Sequence, residues 1–229
     1  MISDNRKLQD LVNLAEMTGR GQSYAMDLHT FEKNSAELET CYLLYSLVRR
    51  LLPLKVVQVG TCEGISSAFI AQGLEDNGAG TLWTIDVNRC HSAREFIKGM
   101  DLEHRICFLQ GDSKDMPLPM APFKMAFIDG DHHYAVALND LLRFGRLLAI
   151  GGWMLHHDTG LDPGNAQKAS IDFMKRKGRE FSRFHIPASV GYSVGLDLFQ
   201  RQHATFLEGS NTPDTWQEYH EGVRKGIYV

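Results

Sequence analysis

The sequence predicts an α/β protein: a doubly wound, mainly parallel sheet of seven strands with an antiparallel C-terminal hairpin. Three observations predict it. From Lys55 onward, short apolar runs alternate with amphipathic stretches of helical period, the pattern of right-handed βαβ crossovers. The first strand enters a glycine-containing turn that opens a helix, and the second ends on Asp86. The last two apolar runs are joined by Pro187-Ala188-Ser189-Val190-Gly191, too short for a helical crossover, so they pair antiparallel.

Two helices come first. Leu8, Leu11, Val12, Leu14 and Ala15 mark a short amphipathic helix over 6–18, with Gly19 and Gly21 turning the chain after it. A second runs from about Ser35 to Arg50 on Leu38, Cys41, Leu43, Leu44 and Leu47, and Pro53 ends it. Strands are then predicted at Lys55–Val59, Thr81–Val87, Ile106–Gln110, Lys124–Ile128 and Gly152–His156. Helices lie between or after them near 64–74, 90–99, 133–148 and 165–177. Phe181–Ile186 and Tyr192–Phe199 complete the sheet. Residues 1–54 are read as helices packed on the core, 55–199 as the ligand-binding catalytic unit, and 200–229 as an extension of the same structural unit.

Composition sets the class. At 229 residues, 43% hydrophobic and 23% charged, the chain carries one substantial core. A net charge of -4 gives no electrostatic reason to expect nucleic acid or an anionic membrane as partner. The cysteines at 41, 62, 90 and 107 form no CxxC pair, which fits reduced thiols and a cytoplasmic location.

The chemistry concentrates at the carboxyl ends of the strands. In Val59-Gly60-Thr61-Cys62-Glu63-Gly64-Ile65-Ser66, Gly60 permits a tight turn and Gly64 a close approach where the helix exposes free amide hydrogens. Asp86 stands where doubly wound folds place an acid against ribose hydroxyls. The spacing Gly-x-x-x-Gly is not the Gly-x-Gly-x-x-Gly of pyrophosphate binding, so a nucleoside without pyrophosphate fits better than NAD. Asp112 and Ser113 follow the third strand, positioned to border a base.

Phe127-Ile128-Asp129-Gly130-Asp131-His132-His133-Tyr134 and Leu155-His156-His157-Asp158 close strands four and five. Two uses compete. Asp129, His157 and Asp158 suit a divalent cation, Mg2+ or another, that acidifies a substrate hydroxyl. Alternatively His132, His156 or His157 takes the proton as general base with no metal.

These motifs resemble class I S-adenosylmethionine-dependent methyltransferases, and among them the methyltransferase domain 24 group of small bacterial O-methyltransferases. The resemblance runs from Val56 to Phe199. It implies that Gly60, Thr61, Gly64 and Ser66 surround the methionine part of S-adenosylmethionine, with Asp129 nearby, that Asp86 grips the ribose, and that Asp112 and Ser113 border the adenine. It also implies methyl transfer to a hydroxyl oxygen of a small-molecule acceptor, with Asp129, His157 and Asp158 at the metal positions of catechol-type relatives. His157 replaces an aspartate of that pattern, and Gln58 stands where the family often has an acid that attracts the cofactor's ammonium. Three other readings stand beside it: a NAD-dependent oxidoreductase, a non-catalytic ligand-binding protein, and a metal-dependent hydroxylase-like or hydrolase activity centred on Asp129, His157 and Asp158. The terminal segments are compatible with a homodimer.

Overall fold

A computed structural model describes residues 6–17, 36–118, 121–160, 165–187 and 195–202. Helix α1 (Arg6–Met17) and helix α2 (Leu38–Leu51) precede strand β1 (Lys55–Val59). There follow α3 (Ile65–Asp76), β2 (Thr81–Asp86), α4 (His91–Gly99), β3 (Ile106–Gln110), β4 (Phe123–Ile128) and α5 (Tyr134–Leu147). The described chain ends with β5 (Leu148–His156), α6 (Asn165–Lys177), β6 (Phe181–Ile186) and β7 (Leu196–Arg201).

The seven strands lie in the order β3-β2-β1-β4-β5-β7-β6. The pairs from β3 to β5 are parallel, and β7 runs antiparallel to both β5 and β6. The predicted fold class is the observed one. The order reverses between β1 and β4, so the turns after these strands diverge and leave a crevice at their carboxyl ends.

Strand alternation divides the core between the two faces. Val56, Leu82, Met125, Phe127, Leu155 and Leu198 pack with Leu11, Leu44, Val48, Phe69 and Leu74 from α1, α2 and α3. Val57, Val59, Ala126, Ile128, Met154 and Phe199 pack with Leu141 and Phe144 of α5 and Phe173 of α6. Phe173 meets the rings of Phe181 and Phe199 edge-on, each at 5.1 Å between centroids. Burying a ring of this size contributes roughly 2–3 kcal/mol relative to leaving it in water.

Helix α2 stops as its sequence requires: Leu52 turns left-handed at φ 48°, returns its N–H to the Val48 carbonyl, and Pro53 follows. Its docking on α3 depends on Gly73, where a Cβ would lie 2.8 Å from Val48 Cγ1. One boundary differs from expectation. Strand β5 begins at Leu148, immediately after α5, instead of at Gly152, and its pairing with β4 shifts register between Phe123 and Met125. Gly151, at φ 69°, lies inside the strand and accommodates that irregularity. Tyr192, the expected start of the last strand, lies outside the described residues.

Candidate active site

The turn after β1 is held open by its two glycines. Gly60 has φ 87°, and a Cβ there would fall 1.9 Å from the Asp129 carbonyl oxygen. Gly64 has φ 85°, and its Cβ would meet Ala93 Cβ at 2.7 Å. The close approaches are to neighbouring protein, which ties the turn to the β4 loop on one side and to α4 on the other.

Asp86, at the end of β2, supports this turn. Its Oδ2 accepts the Thr61 and Cys62 backbone N–H groups at 3.0 and 3.1 Å, and its Oδ1 accepts the Asn88 N–H at 2.8 Å. Burial alone would raise its pKa; the three N–H donors outweigh that and hold it below the ordinary aspartate value. Asp86 is therefore an anion fixed at the mouth of the crevice.

The side chains of Thr61 and Ser66 are turned into the protein. Thr61 Oγ1 shares a hydrogen bond with Thr84 Oγ1 at 2.7 Å, and Ser66 Oγ accepts one from Gln58 Nε2 at 2.9 Å. Gln58 is itself enclosed, donating to the Gly60 carbonyl at 2.6 Å and accepting from Ser67 Oγ at 3.0 Å. Its amide braces the turn from below and leaves Oε1 engaged. After β3, Asp112 is exposed, whereas Ser113 is buried and donates to Asp140 Oδ1 of α5 at 2.7 Å. Burial is the main reason the Asp140 carboxyl is pushed up to about 6. Arg143 of α5 also donates to the Met116 carbonyl, so α5 fixes the loop after β3 at two points.

Across the crevice, Asp129, His157 and Asp158 converge, each offering a ligand atom within 4.8 Å of the others. His157 is 4% exposed, with Nδ1 3.1 Å from Asp129 Oδ1 and 3.4 Å from Asp158 Oδ2. Neither approach has hydrogen-bond geometry, so this buried nitrogen pairs with the two carboxylates by charge alone. The opposite nitrogen, Nε2, lies 2.9 and 3.1 Å from the two carboxylate oxygens of Glu37, whose Oε2 also accepts from Thr40 Oγ1 at 2.6 Å. Burial alone would lower the His157 pKa, but Asp129, Asp158 and Glu37 together drive it well above the ordinary histidine value. Burial raises the Asp129 carboxyl, while His157 overcomes burial at Asp158 and Glu37 and lowers both.

The three predicted histidines separate. His156 faces the other side of the sheet and bonds Ser170 Oγ of α6 at 2.8 Å, and burial lowers its pKa to about 4. His157 lies inside the acidic cluster. His132 stays half exposed, its Nε2 3.1 Å from Asp158 Oδ2, on the open side of the cluster. Its neighbours Asp131 and His133 pair with each other at the surface. Glu37 was not anticipated. An acidic residue one position before an apolar helix carries no mark of a partner far along the chain.

Residues 57–159 match a family described as a methyltransferase domain. No curated protein matches the chain. Solved structures do, over nearly the whole fold. An O-methyltransferase of Streptomyces achromogenes involved in tomaymycin synthesis, in complex with S-adenosylmethionine, is 18% identical with a TM-score of 0.62; the match covers 88% of this chain and 92% of that one. An O-methyltransferase of Bacillus cereus in complex with S-adenosylhomocysteine is 17% identical, TM-score 0.63, covering 88% and 93%. A methyltransferase of Podospora anserina bound to S-adenosylhomocysteine is 17% identical, TM-score 0.61, covering 84% and 87%. This is the class I methyltransferase fold. With the family match over residues 57–159, the chain resembles small bacterial O-methyltransferases. Among the described residues, no helix is long and apolar enough to cross a membrane.

Proposed function

We propose that the protein transfers a methyl group from S-adenosylmethionine to a hydroxyl oxygen of a small molecule. The observation that carries this reading is the pairing, across the β1/β4 crevice, of a fixed carboxylate at Asp86 with the Asp129, His157 and Asp158 cluster. Asp86 accepts the ribose hydroxyls by exchanging loop N–H donors for them. The loop after β3, fixed by α5 through Ser113 and Met116, borders the adenine. The turn from Gly60 to Gly64 then faces the methionine part.

The sulfonium donor is already activated, so the protein's task is to align donor and acceptor and to handle one proton. His132 is the group for that proton: it is half exposed beside Asp158, which stabilises its imidazolium once formed. His156, enclosed against Ser170 on the other face, has no path to the acceptor.

The cluster fits a divalent cation. Two carboxylates and a buried imidazole nitrogen without a hydrogen bond lie within 4.8 Å of one another, the donor set of a metal centre. Asp129, Asp158 and His157 would hold the ion, and it would supply acidification of the acceptor hydroxyl. A second reading draws on the raised His157 pKa: the imidazolium itself supplies the positive charge, and transfer proceeds without metal.

Calorimetry of S-adenosylmethionine binding, in chelator and in added cation, tests the cofactor half. One-to-one binding is expected from the wild type and none from Asp86→Ala of unchanged fold. Folded wild-type protein that binds no S-adenosylmethionine in either condition would sink the proposal. Transfer of labelled methyl to a panel of phenols, catechols and sugars then defines the acceptor.

A further inference from the structure

The two nitrogens of His157 have unequal surroundings. Nε2 lies between both oxygens of Glu37, within hydrogen-bond distance of each. Nδ1 points between Asp129 and Asp158 and has good geometry to neither. A ring nitrogen that donates to a carboxylate keeps its hydrogen, so the other nitrogen turns its lone pair outward. In the neutral ring that lone pair faces Asp129 and Asp158, and a cation bound between the three would take the place of the Nδ1 proton.

Glu37 is placed to orient His157. It is 3% exposed, it precedes α2, and its side chain caps no helix N–H. Its remaining hydrogen bond, from Thr40, orients the carboxylate toward the imidazole. Carboxylate support of a ligating histidine fixes ring and tautomer and makes the free nitrogen a better donor.

We propose that Glu37 is a positioning residue that presents His157 Nδ1 to a first-row transition cation of the Co2+ and Zn2+ class shared with Asp129 and Asp158. That nitrogen makes the site select such cations over Mg2+ and Ca2+. The inference rests on the metal-assisted reading above and extends it. Mg2+ and Ca2+ take oxygen ligands and gain little from an imidazole, whereas Co2+, Ni2+ and Zn2+ bind it readily. An all-oxygen cluster would lack this preference.

The test uses the full chain stripped with a chelator and titrated with Co2+, followed by its visible d–d absorption. Expected are one Co2+ per chain, displacement by Zn2+, and no displacement by a large excess of Mg2+. Glu37→Ala is expected to weaken Co2+ binding about 10–100-fold, and Glu37→Gln, which still accepts from Nε2–H, to retain much of it. His157→Asp, an oxygen donor, is expected to let Mg2+ compete. Folded wild-type protein without Co2+ or Zn2+ binding, or with Mg2+ displacing Co2+ at equal concentration, would overturn the proposal. So would a folded Glu37→Ala protein that binds Co2+ like the wild type, or an unchanged preference in His157→Asp. If the Glu37 variants fail to fold, the wild-type and His157→Asp titrations still decide the cation class. S-adenosylmethionine calorimetry on the same preparations separates the two readings. Cofactor binding without cobalt binding removes this inference alone, and cobalt binding without cofactor binding removes the transfer reading alone.

Discussion

Glu37 Oε1 and His157 Nε2 are 120 residues apart in sequence and 2.9 Å apart in the fold, and both side chains are buried. The pair joins the start of α2 to the end of β5, so it ties the N-terminal helices to the acidic cluster. Removing one member leaves the other charged or polar and enclosed. In chelator, His157→Ala should destabilise the protein by about 3–5 kcal/mol, the usual cost of stranding a buried ion-pair partner. Replacing both, as Glu37→Leu with His157→Ala, should restore part of the loss because the Glu37 carboxylate is no longer stranded, although Asp129 and Asp158 still lose His157. Urea denaturation of wild type, single and double variants measures the coupling. A double variant no more stable than His157→Ala would show that the stranded Glu37 charge is not the cause.

Asp140 gives a pH prediction whose sign follows from its burial. Its folded pKa is raised from 3.8 to about 6, so folding favours the protonated carboxyl. Its contribution to stability is fully present below pH 3.8 and is lost as the pH rises through about 6. Two pKa units correspond to about 3 kcal/mol at most. Asp140→Asn resembles the protonated form and still accepts from Ser113, so it escapes this loss. The stability of the variant relative to wild type should rise between about pH 4 and pH 7 by up to that amount. Denaturation curves across this range check it, and a flat difference would show that Asp140 does not titrate there.

The parts legible in the sequence are those set by local chemistry. Pro53 stops α2, Gly60 and Gly64 shape the turn into α3, and the short connection after Ile186 forces an antiparallel partner. Asp86, Asp129 and Asp158 were legible because strand ends of a doubly wound sheet share one edge. What stayed hidden depends on parity and on tertiary partners. His156 and His157 are adjacent, yet one faces Ser170 of α6 and the other faces Glu37, since neighbouring residues at a strand end point to opposite faces. The fifth strand was expected to begin at Gly152, but the bridge between Phe123 and Leu148 starts β5 before it.

Gln58 has a consequence for engineering the cofactor site. Restoring an acid at this position looks attractive, because a carboxylate would attract the cofactor's ammonium. The Gln58 amide, however, donates both hydrogens, to the Gly60 carbonyl and to Ser66 Oγ. A carboxylate offers no donor and would oppose that carbonyl in a fully buried position. Gln58→Glu should therefore lower stability by at least about 2 kcal/mol and bring no gain in S-adenosylmethionine affinity. Thermal unfolding and calorimetry on the variant measure both, and tighter binding with unchanged stability would show that the amide is dispensable.

Gly60 and Gly78 separate backbone strain from close packing. Both have positive φ, 87° and 72°. At Gly78 an added methyl would have nothing within 4 Å, so Gly78→Ala should cost only the left-handed strain, about 1 kcal/mol. At Gly60 the same methyl would fall 1.9 Å from the Asp129 carbonyl oxygen, a backbone atom that no rotamer change can move. Gly60→Ala must therefore push the β1 turn away from the β4 loop. Asp129 follows Ile128 directly and donates its backbone N–H to the Val59 carbonyl, so displacement of the turn displaces Asp129 with it. The expected result is a loss of several kcal/mol, well beyond Gly78→Ala, together with weaker Co2+ and S-adenosylmethionine binding in whatever protein still folds. Urea denaturation of the two variants beside wild type, with both titrations repeated on Gly60→Ala, measures this. Equal destabilisation of the two variants would mean that strain alone sets the cost and that the turn and the cluster move independently.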